Sequence, residues 1–510
     1  MKAKRSFYNI TFGFLSQAIL IAFGFIVPRL FILKLGSEVN GFMSSINQVL
    51  VYMSLLEAGV GAATIQALYK PLTLDDKEGM NGILSATSNY YKKTGMFYFL
   101  AVVAASIVYP LAVPSNIGFM TMSAVILLTG LVGVQNYFFQ AKYKLLLSAE
   151  GKGYITTNIA AITTILTNIG KIVLLYLNFN IILIQTLYFL VNFLQVFLLW
   201  IYINKHYMWI NLRVPSNYTA ISQKRAVLIH QVSGMIFSNT DVLVLTAFCG
   251  LKVVSVYVMY NLIFQMVNSI IGNINSGVTF VLGAAYCEDR KKFLRIYEAY
   301  EVYCMAIVFA LFSVTYIFIL PFMKIYTAGI TDMNYIDAQL PILFVTVYIL
   351  SASRMPALTA ITVAGHFKAT QYRAIWESAI NIIVSLALVN IFGIYGVLYG
   401  TIAALIYRTN DVILYTSRHI LNRSPFLTYR RWLINTILFL LVVLTADRFS
   451  LVLRSYGMIA AACLISLLAI VPLFVFTASI FERSSFSVAS GYLRIFVHNF
   501  KMHLKKSENI

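Results

Sequence analysis

IILIQTLYFLVNFLQVFLLWIYI, residues 181–203, runs from end to end without a charged side chain. A helix needs roughly 20 such residues to cross the hydrocarbon of a bilayer, so this stretch reads as a transmembrane span. The pattern repeats outward in both directions. Apolar runs parted by short polar joints fall at 10–33, 42–68, 95–113, 119–141, 155–177, 181–203, 226–249, 254–284, 299–320, 340–363, 371–391, 395–417, 432–446 and 456–480. Lipid offers no partner for an unpaired backbone amide or carbonyl, so these runs are predicted to be about fourteen helices of an all-α integral membrane protein. A chain that is 60% hydrophobic, 11% charged and has a mean hydropathy of +0.80 is too apolar for a water-soluble globule. Met1 to Arg5 is basic and the run behind it resembles a signal peptide, but it is too long and lacks a small-residue cleavage site, so it is expected to stay as the first span.

The formal net charge of +20 is explained by where the cations fall. With a cytoplasmic N-terminus, 29 of the 38 Lys and Arg lie on the cytoplasmic side, 5 on the other, and 4 (Arg29, Lys171, Arg354 and Arg408) inside spans. That asymmetry is the positive-inside pattern, with both termini cytoplasmic. Membrane lipids suit the basic rim, whereas no aromatic-and-basic folded platform supports a nucleic-acid partner. Cys249, Cys287, Cys304 and Cys463 show no paired spacing, so neither a disulfide framework nor a metal site is indicated.

An offset of 214 residues matches Gly36 to Gly250, Val39 to Val253, Asn47 to Asn261 and Gly151 to Gly365, each glycine standing at a junction between spans. The expected organisation is an N-lobe of six spans (1–205), a cytoplasmic linker (206–225), a C-lobe of six spans (226–418), two appended spans (419–481) and a basic tail (482–510). Six spans per copy is an even number, so the lobes share one orientation about a pseudo-two-fold along the membrane normal. The appended spans carry almost no interior polar residue and are expected to pack peripherally. Residues 75–94 are too polar to cross and are expected to form an interfacial helix entering the third span.

Three stretches carry a family likeness. VPRLFILKLGSEVNGFMSSINQVLVYMSLLEAGVGAATIQALYKPL (27–72) resembles the opening helix pair of the Wzx-type polysaccharide flippases, within the multidrug/oligosaccharidyl-lipid/polysaccharide exporter superfamily. SNTDVLVLTAFCGLKVVSVYVMYNLIF (238–264) is similar to that family's seventh and eighth spans, and GHFKATQYRAIWESAINIIVSLALVNIFGIYGVLYGTIAALI (365–406) to its eleventh and twelfth, with a Gly-rich turn at Gly393 and Gly396. The resemblance implies a flippase for undecaprenyl-pyrophosphate-linked oligosaccharide, such as O-antigen or capsule repeat units, in a bacterial inner membrane. It implies a polysaccharide polymerase and chain-length machinery as partners, no cofactor, and a cationic lumen between the lobes.

A charge in mid-bilayer costs at least about 2.5–3.5 kcal/mol, so each ionisable residue within a span needs a partner or a watery cavity. Arg29, Lys171 and Arg354 are the candidates for a cationic lumen that attracts the anionic head of the substrate, because guanidinium and ammonium groups suit phosphate or carboxylate. Arg29 and Lys171 also read as snorkelling cations. Glu57, Asp241, Glu377, Arg408 and Asp411 are candidates for gating or for H+ or Na+ coupling. Arg408 and Asp411 stand three apart on one helix face, where a local ion pair is the simpler reading. Asp241 falls at nearly the depth of Arg29 under the 214 offset, so a pair between them would close the outer mouth. Glu57, just before Ala58, Gly59, Val60 and Gly61, lies where helices approach closely and also reads as a structural acceptor. A multidrug or cation antiporter of the same superfamily would share this fold. A membrane polysaccharide polymerase would need large exterior loops rich in Asp, Glu, Arg or His, which the chain lacks, so an enzyme is not expected.

Overall fold

The computed structural model describes residues 22–57, 59–219, 225–446, 448 and 453–491, and among these the regular secondary structure is helical with no strand. In chain order the helices are α1 (22–35), α2 (Ser37–Met53), α3 (Val60–Leu74), α4 (Lys77–Ala112), α5 (Phe119–Gln135), α6 (Ala141–Ala149), α7 (Gly153–Tyr176), α8 (Ile181–His206), α9 (Arg225–Phe248), α10 (Leu251–Glu288), α11 (Arg290–Tyr326), α12 (Leu340–Ser353), α13 (Met355–Val363), α14 (Phe367–Phe392), α15 (Ile394–Tyr415), α16 (Phe426–Ala446) and α17 (Tyr456–Phe481). Ten helical stretches among the described residues are long and apolar enough to cross a membrane, counting α5–α6 and α12–α13 as one each. The other predicted spans fall on α1, the broken pair α2–α3, α9 and α15. Residues 10–21 of the first span, 220–224 of the linker and the tail beyond 491, with Arg494, Lys501, Lys505 and Lys506, lie outside the described residues.

Residues 75–94 begin the helix that enters the third span, as expected. Asp76 caps α4 by accepting from the Gly79 amide at 2.8 Å, and the helix then runs unbroken into the apolar span. Its polar first turns are covered by the segment that follows α8. Ser85 donates to the Val214 carbonyl at 2.9 Å, and the Asn217 amide donates to the Gly82 carbonyl at 3.1 Å.

The 214-residue offset reappears in the helix boundaries. Ser37 maps onto Leu251, Leu74 onto Glu288, Ala112 onto Tyr326, Ala149 onto Val363 and Gly153 onto Phe367, each a helix terminus in both copies. The matched glycines share a backbone conformation: φ is +88° at Gly36 and +83° at Gly250, and +71° at both Gly151 and Gly365. A side chain is disfavoured in this left-handed region, which is why glycine stands at both junctions of each copy.

The copies diverge at two places. Where α10 is continuous, its counterpart is interrupted: α2 passes into a 3₁₀ turn at Ser54–Glu57, and Gly59, at φ +86°, starts α3. Where α5 widens into a π turn at Asn136–Gln140 and stays continuous with α6, the corresponding helix breaks at Arg354, the position 214 residues after Gln140.

Helix packing gathers the chain into two compact units. The first holds Met1–Val258, Gly329–Asn334 and Val389–Ile394. In it α2 packs on α9, with Thr246 donating to Ser45 at 2.9 Å, and on the start of α10, where Asn40 donates to Ser255 at 2.8 Å. Such bonds hold helices together where lipid removes the hydrophobic drive. The second unit holds Met259–Ala328, Tyr335–Leu388 and Tyr395–Ile510. Its centre is α11, which packs on α12, α13, α16 and α17. Two thirds of α11's apolar window (67%) is buried against 11% for α17, so α11 is a core helix and α17 mostly faces outward. A stack of Tyr260, Phe264, Phe344 and Tyr348, with ring centroids 5.5–5.8 Å apart, fills the second unit near α12.

Candidate functional site

The break at Arg354 places its side chain against α14. Its guanidinium meets Glu377 Oε1 at 2.5 Å, and Glu377 Oε2 lies 3.4 Å from Arg408 Nε on α15. Arg408 donates in turn to Asp411 at 2.7 Å, and Asp411 also pairs with Arg373 of α14 at 2.5 Å. The result is one chain of alternating charge, Arg354, Glu377, Arg408, Asp411, Arg373. Arg354, Glu377 and Arg408 are 9%, 8% and 2% exposed, so the network is anchored in the protein interior. Ions desolvated this far persist only when paired. Three guanidinium groups against two carboxylates leave one formal positive charge in excess. The structure thus brings together four of the sequence candidates, Arg354, Glu377, Arg408 and Asp411, and the local pair of Arg408 with Asp411 is part of the larger set. Arg373, which the sequence did not single out, is the fifth member, carried by α14 from Phe367. It also lies 4.8 Å from the Tyr415 ring.

The remaining candidates belong to the first unit. Glu57 ends the 3₁₀ turn and accepts from the Tyr91 hydroxyl at 2.9 Å. It lines a cavity of about 650 Å³ together with Ser54, Gly61, His230, Ser238 and Asn239. A helix interrupted beside an acidic residue and a polar cavity is the arrangement transporters use to expose backbone and carboxylate to an ion or substrate. Lys171, on α7, sets its Nζ 4.9 Å from the Tyr188 ring of α8, a cation–π contact within the unit. Asp241, on α9, accepts from the Tyr257 hydroxyl at 2.9 Å. Arg29 is half-buried on α1. Arg29 and Lys171 therefore lie in one compact unit and Arg354 in the other.

A second charge cluster escapes a reading of the sequence. Glu301 of α11, 2% exposed, pairs with both Arg423 and Arg431, and Arg431 pairs onward with Glu482 at 3.2 Å. Glu482 also takes Arg430, so one carboxylate just past α17 joins α16 to α17 and, through Arg431, to α11. Burial alone would raise the Glu482 pKa, but Arg431 and Arg430 overcome that and hold its carboxyl below the ordinary value. The partners lie 122 to 130 residues apart, and nothing local in the sequence links them. Among the described residues no group of three or more His, Cys, Asp or Glu is placed to hold a metal ion.

A multi-pass helical membrane protein with interrupted helices and buried charge networks is the class these observations define. No protein-family model matches the sequence, and no curated protein matches it. Solved structures match the fold. A lipid II flippase, MurJ, in an inward closed conformation aligns with a TM-score of 0.65 at 15% identity over 94% of this chain and 99% of its own. A multidrug resistance MATE family transporter of the MOP superfamily, inward-facing, aligns at 0.61 and 17% identity over 78% of this chain and 95% of its own. An outward-facing conformation of such a transporter aligns at 0.55 and 15% identity over 79% and 93%. The chain has the fold these transporters share.

Proposed function

We propose that this protein is a flippase that carries undecaprenyl-pyrophosphate-linked oligosaccharide repeat units from the cytoplasmic to the outer leaflet of a bacterial inner membrane by alternating access. The observation that carries this reading is how far each likeness reaches. Coverage of 78–85%, as with the MATE transporters, can be met without α16 and α17, whereas the 94% covered by the flippase cannot. The buried networks support a moving part, since Glu377 and Asp411 each hold two cations and can keep one partner when the other is released to an anionic head group. Arg354 is the cation we assign to that head group in the second unit, with Arg29 and Lys171 in the first. Glu57 and Asp241 are the groups we assign to H+ or Na+ coupling. The polymerase and chain-length machinery would then act on the delivered repeat units.

The second reading, a multidrug or cation antiporter, is favoured by the MATE likeness and by Glu57 in a polar cavity. Deleting the gene and measuring polyprenyl-linked oligosaccharides by mass spectrometry separates the two. A flippase leaves complete repeat units on the cytoplasmic leaflet, cleared by the wild-type gene and not by Arg354→Ala inserted at normal levels. Unchanged lipid-linked oligosaccharide, with new sensitivity to cationic drugs, would replace the flippase with the antiporter.

A further inference from the structure

A second cavity in the first unit, of about 500 Å³, is lined by an unusual set for a membrane span: the carboxamides of Asn47, Asn136, Gln140, Asn192 and Gln195, with Lys144. Tyr98 and Tyr188 supply ring faces, and Ser54 lines both this cavity and the one beside Glu57. The π turn at Asn136–Gln140 is what turns two of these amides toward the cavity, and such turns recur at functional sites. Lys144 donates to Asn136 Oδ1 at 2.8 Å and Gln195 to Gln140 Oε1 at 3.2 Å, so part of the set is held in place by its own members. Asn47 has no hydrogen-bond partner among the described residues, and no carboxylate lines the cavity.

The internal repeat supplies a control for what the fold itself requires. At the positions 214 residues later, Asn136, Lys144 and Asn192 become Leu350, Leu358 and Ile406, and Tyr98 becomes Phe312. Asn47 keeps an amide, Asn261, but there its Oδ1 accepts from Tyr348 at 2.7 Å. Gln140 and Gln195 become Arg354 and Thr409, so the second copy keeps polar groups at three of these positions and has apolar side chains at Leu350, Leu358 and Ile406. Amides placed in mid-span cost free energy unless something polar meets them, so their concentration in the first copy marks a ligand.

An amide both donates and accepts, as a sugar hydroxyl does, and a lysine without a carboxylate partner selects for negative charge. We infer that this cavity is a carbohydrate subsite that holds an acidic sugar, a residue with a carboxylate, through hydrogen bonds from the five amides and a charge-assisted bond from Lys144. This deepens the flippase reading and rests on it for the role of the sugar as the head of a lipid-linked substrate, whereas the binding itself is measured apart from transport.

The test uses the full-length protein in nanodiscs and saturation-transfer NMR with methyl β-D-glucuronide and methyl β-D-glucoside as probes. Wild-type protein is expected to bind both and to prefer the glucuronide. Lys144→Gln should weaken the glucuronide about tenfold and leave the glucoside nearly unchanged, while Asn47→Leu should weaken both. Asn261→Leu, the change at the matching position of the second copy, should leave both as in wild type. Thermal melting of each variant identifies any that fails to fold, and Lys144→Arg, which keeps the charge, should retain the preference. Absence of saturation transfer to either probe, or equal losses for both probes in Lys144→Gln, overturns the inference. Accumulation of lipid-linked oligosaccharide in the deletion strain without sugar binding leaves the flippase standing and removes the subsite. Binding with the expected Lys144 dependence, in a strain whose lipid-linked oligosaccharides are normal, does the reverse.

Discussion

The two copies of the repeat share helix boundaries and junction glycines, yet they handle polarity inside the membrane in opposite ways. The first copy keeps its ionisable groups apart, Glu57 on Tyr91 and Lys171 on Tyr188, and opens cavities beside them. The second copy links its ionisable groups into a continuous network and fills the space near α12 with aromatic rings. One framework thus carries two kinds of interior through its side chains alone, polar cavities in one copy and a paired charge network in the other.

The largest effect expected from breaking that contrast is in the network. Removing one partner of a buried ion pair leaves an uncompensated charge, so Arg354→Ala or Glu377→Ala should each cost about 3–5 kcal/mol in unfolding experiments. The double change to Met and Leu should recover most of that loss, and a double variant that loses the sum of the two singles would show that Arg354 and Glu377 are not coupled. Next comes the interrupted helix of the first copy. Gly59→Ala forces a side chain into the left-handed region and should cost about 1–2 kcal/mol while impairing transport in cells. Asn273→Ala, at the matching site of the continuous α10, should do neither. Smaller still, Gly151→Ala and Gly365→Ala share φ +71° and have open space around the added methyl group, so both should cost about 1 kcal/mol and by the same amount. Unequal shifts in melting temperature would break the equivalence of the copies. The smallest effect lies outside the repeat. A carboxylate whose folded pKa is depressed contributes stability present above its unfolded pKa and lost as pH falls through the folded one. The contacts of α16 and α17 with α11 should therefore loosen in acid below the ordinary carboxylate range, read by hydrogen exchange, and Glu482→Gln should abolish that dependence.

Much of the fold is legible in the sequence because the bilayer enforces it. A run such as 181–203 has nowhere to go but across the lipid, and Gly36, Gly151, Gly250 and Gly365 punctuate the helices where a positive φ favours glycine. The sites are less legible, for a physical reason that Arg373, Lys144 and Ser85 illustrate. Charge and polarity near the end of an apolar run read as loop or as an interfacial helix, but protein partners let helices α4, α6 and α14 carry those residues beyond the most apolar part of the span. Asn192 and Gln195 stand in plain view within an uncharged apolar stretch, yet two amides in a span acquire meaning only when Asn136 and Gln140 are seen to face the same space. The Glu301 cluster requires the packing of α11, α16 and α17, which no periodicity encodes.

That cluster has a mechanical consequence. Glu301, Arg431 and Glu482 rivet two helices, one of them exposed along most of its length, to the most buried helix of their unit. Any tilt of α11 then sweeps a lipid-facing paddle through the surrounding acyl chains. If the proposed alternating access tilts α11, the stiffness and thickness of the membrane become a load on that cycle, with the ion pairs as the coupling through which the load is felt.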